Sequence, residues 1–466
     1  MIERILNLQT KNINSAALIL AGAFLASAVL GFIRDRLLAG SFGAGDELDI
    51  YYTAFKIPDL LTMMLMTGAI SAAIIPIFTE HLIKSKEEAW EYFSNLINLF
   101  LVILIISALI LFIFAPQLIS LIAPGFSEEK RDLTVLLTRI MFLSPIILGI
   151  SNIISAILRV FKRFLITALA PLMYNLGIIC GIVFFVPVFG LSGLAWGVAF
   201  GAVLHFLIQL PVLFKTGFKY RRIFDFRKPN FKKTIKLTLP RSLGLAASQI
   251  NILVITIIAS TLSAGSIAIF NLAENLSRPL LTLVAISFST AAFPSLSLAF
   301  AKSQKEKFNQ IFYSVFRKIL LLSLGLSALL FVFRNLMVDI ILKAGKFSLI
   351  DAQLTSACLA MFCIGIFAQS LILLVAKTFY ALQNTKVPAL TSVFAAVINV
   401  FLCLYFVHLF SFSNSFRGFW VQGLNLQTLS NIEVLGLPLA LSFAAIFQLS
   451  LLLVFLFKTK YVRKSS

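Results

Sequence analysis

LINLFLVILIISALILFIF, residues 96–114, carries no charge, and its polar side chains are those of Asn98 and Ser107. A helix needs about 20 predominantly apolar residues to cross the hydrocarbon core of a bilayer. Inside that core each peptide group must form its hydrogen bonds within the protein, which a helix does along its own length. The stretch therefore predicts a membrane-spanning helix.

The whole chain has the composition of an integral membrane protein. Of its 466 residues, 60% are hydrophobic and 12% are charged, and the mean hydropathy is +0.99. Soluble domains carry about 25% charged residues. The net charge of +20 does not indicate a nucleic-acid-binding protein, because the basic residues lie between apolar segments. The four cysteines and three histidines are scattered, so we expect no metal site and no cofactor.

Twelve apolar windows, bounded by proline, glycine and charge clusters, predict twelve transmembrane helices. In the first half they cover 14–34, 50–79, 94–122, 134–158, 164–187 and 190–214. In the second half they cover 236–261, 265–299, 312–342, 353–381, 387–410 and 435–457. We therefore expect an all-α polytopic membrane protein with two six-helix lobes, 1–214 and 236–466, joined by a basic linker at 215–235.

The two halves repeat each other in sequence. SFGAGDELDIYYTAFKIPDLL (Ser41–Leu61) is similar to TLSAGSIAIFNLAENLSRPLL (Thr261–Leu281), and Ala156–Ile178 is similar to Ala381–Leu402. An even number of spans makes each copy enter from the same side, so the repeat is parallel, with a pseudo-two-fold axis along the membrane normal. Two such lobes favour an alternating-access transporter over a channel.

Basic residues determine the predicted orientation. With a cytoplasmic N-terminus, 26 of the 39 Lys and Arg residues lie in inner segments and 8 lie in outer ones. The positive-inside rule then predicts that both termini are cytoplasmic. The stretch Lys215–Lys236 has nine basic residues and one acid, Asp225. We expect it to lie on anionic membrane lipids, which attract such segments.

The second predicted span contains charges that hydrocarbon disfavours. A charge at the centre of a spanning helix costs about 2.5–3.5 kcal/mol, so it needs a partner or a wet cavity. Asp49, Tyr52, Lys56 and Asp59 recur on one helix face, and Pro58 is expected to kink the helix. Either the four side chains line a cavity, or Lys56 and Asp59 form an internal ion pair that only positions the kink.

Two further groups of charges leave similar alternatives open. Glu274 and Arg278 are four residues apart, in the order that favours a helical ion pair, and they serve either transport or helix structure. Arg34 ends the first apolar run beside Asp35 and Arg36. An arginine exposed to a cavity is a candidate diphosphate contact, because its planar fork of donors suits phosphate oxygens. The alternative is a solvated span end.

Motifs along the chain resemble those of the MurJ/MviN family of lipid II flippases, in the superfamily of multidrug, oligosaccharidyl-lipid and polysaccharide flippases. These motifs are VLGFIRDRLLAGSFGAGDELDIYYTAFKIPDLL, APGF (Ala123–Phe126), LAENLSRPL, GKFS (Gly345–Ser348) and FYALQNTKVP. The resemblance covers nearly the whole chain. It implies a lipid II flippase that moves the undecaprenyl-diphosphate-linked peptidoglycan precursor from the inner to the outer leaflet by rocking two lobes around a cationic cavity.

The resemblance also assigns residues. Four residues match functional positions of the family: Arg34, Asp49, Lys56 and Glu274. Three positions that are usually arginine in the family are Ala28, Thr62 and Asn275 here, and Arg278 lies one turn beyond the last of these. The predicted substrate-binding residues are Arg34, Asp49, Lys56, Glu274 and Arg278, and the predicted cavity or kink supports are Tyr52, Pro58, Asp59 and Asn275. Family members usually have fourteen spans, the last two forming a lipid-tail groove, against twelve predicted here.

These observations predict a lipid II flippase that is multi-pass in the bacterial cell membrane and acts as a monomer in peptidoglycan synthesis. An exporter of another polyprenyl-diphosphate-linked glycan or amphiphile is the alternative with the same fold. A membrane-embedded enzyme is disfavoured, because the tight acidic cluster at Asp46, Glu47 and Asp49 has no histidine beside it. A nucleic-acid partner is not expected.

Overall fold

The computed structural model describes residues 13–64, 74–227, 229–429, 431–459 and 461. At residues 13–21, 229–230, 237–248 and 282 it describes the backbone alone. Both predicted cytoplasmic termini fall on residues outside the described ranges.

The described residues are mostly helical. In the first half, the helices are α1 (Ile13–Phe42), α2 (Asp46–Ala54), α3 (Lys56–Thr62), α4 (Ile75–Lys84), α5 (Lys86–Ile113), α6 (Ala115–Ile122), α7 (Glu128–Met141), α8 (Leu143–Val160), α9 (Phe164–Cys180), α10 (Val186–Phe189), α11 (Ser192–Leu207) and α12 (Leu210–Lys215). In the second half, they are α13 (Pro229–Ser260), α14 (Ser266–Leu281), α15 (Ser287–Ala301), α16 (Lys305–Val332), α17 (Arg334–Ile341), α18 (Leu349–Ala381), α19 (Lys386–Ser411), α20 (Ser415–Leu424) and α21 (Gly436–Lys458). Short π-helical turns at Gly181–Phe185 and Thr282–Ile286 join α9 to α10 and α14 to α15.

Nine helical segments within the described ranges are long and apolar enough to cross a membrane. They are Lys86–Ile113, Glu128–Val160, Phe164–Phe189, Ser192–Lys215, Ser266–Ala301, Lys305–Val332, Leu349–Ala381, Lys386–Ser411 and Glu433–Lys458. Each overlaps one predicted window, and the predicted all-α polytopic class is confirmed. The windows 14–34, 50–79 and 236–261 include residues that are masked or described by backbone alone, so the count of twelve stays a prediction.

The chain forms two compact units. One contains Met1–Ser41 and Ile50–Gln249, and the other contains Phe42–Asp49 and Ile250–Ser466. The second unit thus includes the turn between α1 and α2, which belongs to the first half of the sequence. The predicted lobe boundaries at residues 214 and 236 stay a prediction.

Glycines hold two helices of the first unit close together. A Cβ atom added at Gly177 would lie 2.1 Å from the Cα of Gly201, and one added at Gly181 would lie 2.4 Å from the Cα of Gly197. Such distances leave no room for a side chain, so α9 and the π-helical turn after it pack backbone to backbone against α11. Small residues four apart allow this close approach between membrane helices.

The second unit is built around α18, which packs against α16 and α21. Ser348 begins this helix with a capping box, in which its hydroxyl accepts from the N–H of Asp351 at 3.1 Å and its own N–H donates to the Asp351 carboxylate at 2.9 Å. The capping box satisfies orphan donors at the helix start. The helix then enters a core of buried apolar residues that includes Leu371 and Phe379.

Candidate functional site in the transmembrane helices

Arg34 is held rigidly in the first unit. Its Nε and Nη2 donate to Oδ1 of Asp35 at 3.0 and 2.8 Å, and its Nη1 donates to Oδ1 of Asn175 at 3.1 Å. Asp35 is 3% exposed, whereas the Arg34 side chain is 22% exposed. These contacts use three of the five N–H groups of a guanidinium. Arg34 is therefore a pre-positioned cation that can still donate to an acceptor at its exposed edge.

Asn175 links α9 to α1 in the first unit. A matching asparagine, Asn399, links α19 to α13 in the second unit. Asn175 Nδ2 donates to Oγ of Ser27 at 3.4 Å, and Asn399 Nδ2 donates to Oδ1 of Asn251 at 2.9 Å. Both contacts join residues 148 positions apart in sequence. Positions 175 and 399 differ by 224, as do 27 and 251. The two units thus contain the same polar contact at repeat-equivalent positions.

The repeat shows that the charge belongs to one unit. With the offset of 224 given by the asparagine contacts, Arg34 corresponds to Ile258, which is buried. Asn399 is itself buried, and its Oδ1 has no hydrogen-bond partner among the described residues. Both units therefore contain the asparagine contact, which we call the amide scaffold (Asn175–Ser27 and Asn399–Asn251). The guanidinium that the scaffold positions belongs to the first unit.

The second predicted span is interrupted near Pro58. The chain leaves α2 at Ala54 and enters α3 at Lys56, with Phe55 between them. A proline has no N–H to bond the carbonyl four residues earlier, here that of Ala54. Thr138 on α7 lies with its hydroxyl 3.4 Å from this carbonyl, while donating mainly to the carbonyl of Thr134 at 2.7 Å. A neighbouring helix therefore supplies a polar group where the proline removes one.

The four side chains predicted to share one face have different surroundings. Asp49 and Tyr52 are buried, at 2% and 8% exposure, whereas Lys56 is half-buried and Asp59 is exposed. The hydroxyl of Tyr52 has no hydrogen-bond partner in the described part of the chain. The helix interruption separates the first two from the last two, so a straight helix does not describe their arrangement.

Asp49 caps a helix of the second unit. Its Oδ2 accepts from the N–H of Gly265 and its Oδ1 from the N–H of Ala268, both at 2.8 Å. These groups begin α14, where N–H donors have no partner inside the helix and the dipole favours a negative charge. Gly265 has φ of +85°, and an added Cβ would lie 1.9 Å from the carbonyl oxygen of Ala44. Both the cap and its close approach therefore depend on the Ala-Gly turn.

A third hydrogen bond holds the segment Phe42–Asp49. The N–H of Ala44 donates to Oδ2 of Asp351 at 3.3 Å, the carboxylate that also closes the capping box of α18. The segment Phe42–Asp49 is thereby bonded to the starts of α14 and α18. This explains why the segment groups with the second unit.

The predicted Glu274–Arg278 pair is present on α14. Arg278 Nη2 and Nε lie 3.0 and 3.3 Å from Oε1 of Glu274, with Arg278 58% and Glu274 23% exposed. Asn275, next to Glu274, is half-buried. Ala28 and Thr62 are half-buried as well, and the hydroxyl of Thr62 donates to the carbonyl of Pro58 at 3.0 Å. The pair is the helical ion pair that the sequence order favours, and Arg278 remains largely accessible.

Sequence reasoning missed a buried polar cluster in the first unit. Ser151 Oγ lies 2.6 Å from Nδ1 of His205, and Gln209 Nε2 donates to Ser151 Oγ at 2.7 Å and to the carbonyl of His205 at 2.8 Å. Ser155 Oγ donates to Gln209 Oε1 at 2.7 Å. The cluster satisfies a carbonyl at the junction of α11 and α12. Within the described ranges, His, Cys, Asp and Glu form no group of three suited to a metal ion.

Two asparagines of α5 bind the basic linker along its backbone. Asn95 donates from Nδ2 to the carbonyl of Asp225 at 3.0 Å and accepts from its N–H at 2.8 Å. Asn98 donates to the carbonyl of Ile223 at 2.9 Å and accepts from the hydroxyl of Tyr220 at 2.8 Å. The linker backbone is thus hydrogen-bonded to α5. Phe224 and the neighbouring basic side chains Arg221 and Arg222 remain exposed.

Comparison with known proteins identifies the family. A family model described as lipid II flippase MurJ matches residues 38–466. The chain belongs to the lipid II flippase MurJ family. A probable lipid II flippase MurJ of Buchnera aphidicola subsp. Schizaphis graminum is 31% identical over 398 residues, which cover 82% of this chain and 76% of that relative.

Solved structures agree with the MurJ assignment. A chain described as lipid II flippase MurJ in an inward closed conformation has a TM-score of 0.77 at 25% identity, covering 94% of this chain and 87% of that chain. An inward-facing multidrug resistance transporter of the MATE family has a TM-score of 0.69 at 17% identity, covering 94% and 99%. The second likeness shows a shared fold. As a MurJ family member, the chain is a multi-pass membrane transporter and not an enzyme.

Proposed function

We propose that this protein moves lipid II from the inner to the outer leaflet by alternating access. The main structural support is the guanidinium of Arg34 with its partners Asp35 and Asn175. The match to the MurJ family model over residues 38–466 supports the same function. Asp35 and Asn175 fix the guanidinium while leaving N–H groups at its exposed edge. A membrane helix rarely keeps an arginine without a functional partner, and a diphosphate is an acceptor that suits this fork of donors.

The other predicted residues divide into candidate substrate contacts and residues that support the helices. Lys56 and Arg278 are partly or largely exposed cations and are our further candidates for contact with the diphosphate or sugars. Glu274 orients Arg278, and Asn275 lies beside it. Asp49 acts by holding α14, because both of its oxygens accept from backbone N–H groups. Pro58 forms the kink, and Tyr52 and Asp59 border it.

Export of another polyprenyl-diphosphate-linked glycan is the second candidate. Ala28, Thr62 and Asn275 stand where the resemblance implies arginines, and none of them supplies a cation. The diphosphate is common to both candidates, so Arg34 serves in either. The sugar and peptide part of the substrate distinguishes them.

Replacement of the resident flippase tests the proposal. Expression of this chain in a bacterial strain depleted of its own lipid II flippase is expected to restore growth. It should also restore access of an impermeant lipid II-cleaving enzyme to substrate in the outer leaflet. The control is an equal membrane amount of the protein carrying Arg34→Ala. Absence of growth and of outer-leaflet lipid II, with the protein present in the membrane, would refute lipid II transport and favour the other glycan.

The same proposal includes orientation and partners. The protein acts as a monomer, and both of its termini are cytoplasmic. Its basic linker lies on anionic lipids of the inner leaflet. Exposed Tyr220 and Phe224 beside Lys219 and Arg222 suit the headgroup region, where aromatic and basic side chains are favoured. In right-side-out cells, Lys343→Cys should react with an impermeant thiol reagent and Lys219→Cys should not. Reaction at Lys219→Cys alone would reverse the orientation.

A further inference from the structure

A groove runs between α15 and α16 in the second unit, with a volume of about 400 Å³. Its α15 wall includes Ala291, Ala292, Ser295 and Ala299, whose spacing puts them on one side of the helix. These small side chains leave the space that larger residues would fill. The groove therefore results from the side-chain sizes along α15.

The groove lies on membrane-spanning helices. Its walls belong to the segments Ser266–Ala301 and Lys305–Val332, both of which are long and apolar enough to cross a bilayer. Ala291 and Ser295 are exposed, and Leu298 beside them is 55% exposed. The groove is therefore open at the surface of helices that cross the bilayer, and its largely apolar walls suit a lipid chain.

One end of the groove is cationic. Lys302 and Lys307 border it there, together with the amide of Gln304, at the turn that joins the two helices. Lys305 and Glu306 lie on the same turn but not in the groove wall. An apolar groove that ends at two ammonium groups matches an amphiphile with an apolar chain and an anionic head.

We propose that this groove binds one anionic phospholipid, with an acyl chain along α15 and the phosphate between Lys302 and Lys307. Its volume lies in the range of small-molecule sites, about 300–1,000 Å³. A lipid chain gains little by leaving bulk hydrocarbon for an apolar groove. The headgroup therefore decides selectivity, and the site distinguishes anionic from zwitterionic lipids. The site is separate from the residues proposed to contact the transported substrate.

Lipid retention by the purified full-length chain tests the site. The protein is taken from vesicles of equal phosphatidylglycerol and phosphatidylcholine, and the lipids that remain bound are counted by native mass spectrometry. We expect the wild type to retain phosphatidylglycerol preferentially. The double variant Lys302→Gln, Lys307→Gln is expected to lose about tenfold or more of that preference, since each basic residue near a membrane surface contributes about 1 kcal/mol.

Two further variants make the result specific. Lys305→Gln removes the same charge from the same turn outside the groove wall, and its preference should be unchanged. Ser295→Phe places a large side chain in the groove and should reduce retention of the bound lipid although all lysines are present. This variant tests the site even if the double variant fails to fold. An equal loss in Lys305→Gln, or equal retention of phosphatidylglycerol and phosphatidylcholine by the wild type, would overturn the proposal.

Discussion

Arg34→Ala is expected to abolish lipid II transport in protein that still folds and reaches the membrane, with a lower thermal midpoint because the buried Asp35 carboxylate loses its Arg34 partner. The guanidinium is held by Asp35 and Asn175 and presents its remaining N–H groups at an exposed edge. Hydrogen bonds to a charged group contribute about 1.5–3 kcal/mol each, so loss of a two-pronged phosphate contact lowers the transport rate by about 100-fold or more. Growth of a flippase-depleted strain and outer-leaflet lipid II measure the loss.

Two matched variants separate this role from a general effect of charge. Arg34→Lys keeps the charge but not the planar fork, and should retain only a small part of the activity. Arg36→Ala removes an exposed arginine two residues away and should transport normally. Full activity of Arg34→Ala would instead assign Arg34 a structural role, as the partner of the buried Asp35 carboxylate.

Asp49→Ala is expected to lower stability, and transport as a consequence. The substitution removes both acceptors from the start of α14 and leaves two buried N–H groups without them. A loss of about 3 kcal/mol follows from two hydrogen bonds to a charged carboxylate. For a chain of this length, this corresponds to a decrease of roughly 3 °C in the thermal midpoint. Thermal unfolding in detergent provides the measurement.

Conservative and neighbouring changes test the capping role. Asp49→Asn keeps one acceptor oxygen without the charge and should fall between Asp49→Ala and the wild type. Asp46→Asn alters an exposed acid of the same helix and should leave the midpoint unchanged. If Asp49→Ala lost transport with its midpoint intact, Asp49 would contact substrate directly, as the family resemblance implies.

Much of the fold could be predicted because membrane spans are encoded locally. A long uncharged run such as 96–114 has no alternative to a helix in hydrocarbon, and α5 occupies this place. Breaks in the helices were also predictable where proline removes an N–H group, as at Pro58. The similarity of the two halves could also be detected in the sequence, because it consists of short motifs in the same order.

The partners of Asp49 and the Asn175 partner of Arg34 could not be predicted, because they are distant in sequence. Asp49 bonds residues 216 and 219 positions away, and Arg34 bonds a residue 141 positions away. Helical periodicity gives the direction of a side chain but not the element that packs against it. For Arg34 one signal was available. Asn175 and Asn399 are polar residues at matching places in the repeated segments, inside otherwise apolar helices.

The recurrence of the Asn175–Ser27 contact as Asn399–Asn251 separates what the two halves share from what differs between them. A contact with the same sequence separation in both copies belongs to the architecture that the two units repeat. The cation it positions is found at Arg34 and is replaced by Ile258 in the other copy. The two units thus share this scaffold but not its charge, and the accessible cation Arg278 of the second unit lies on a different helix, α14.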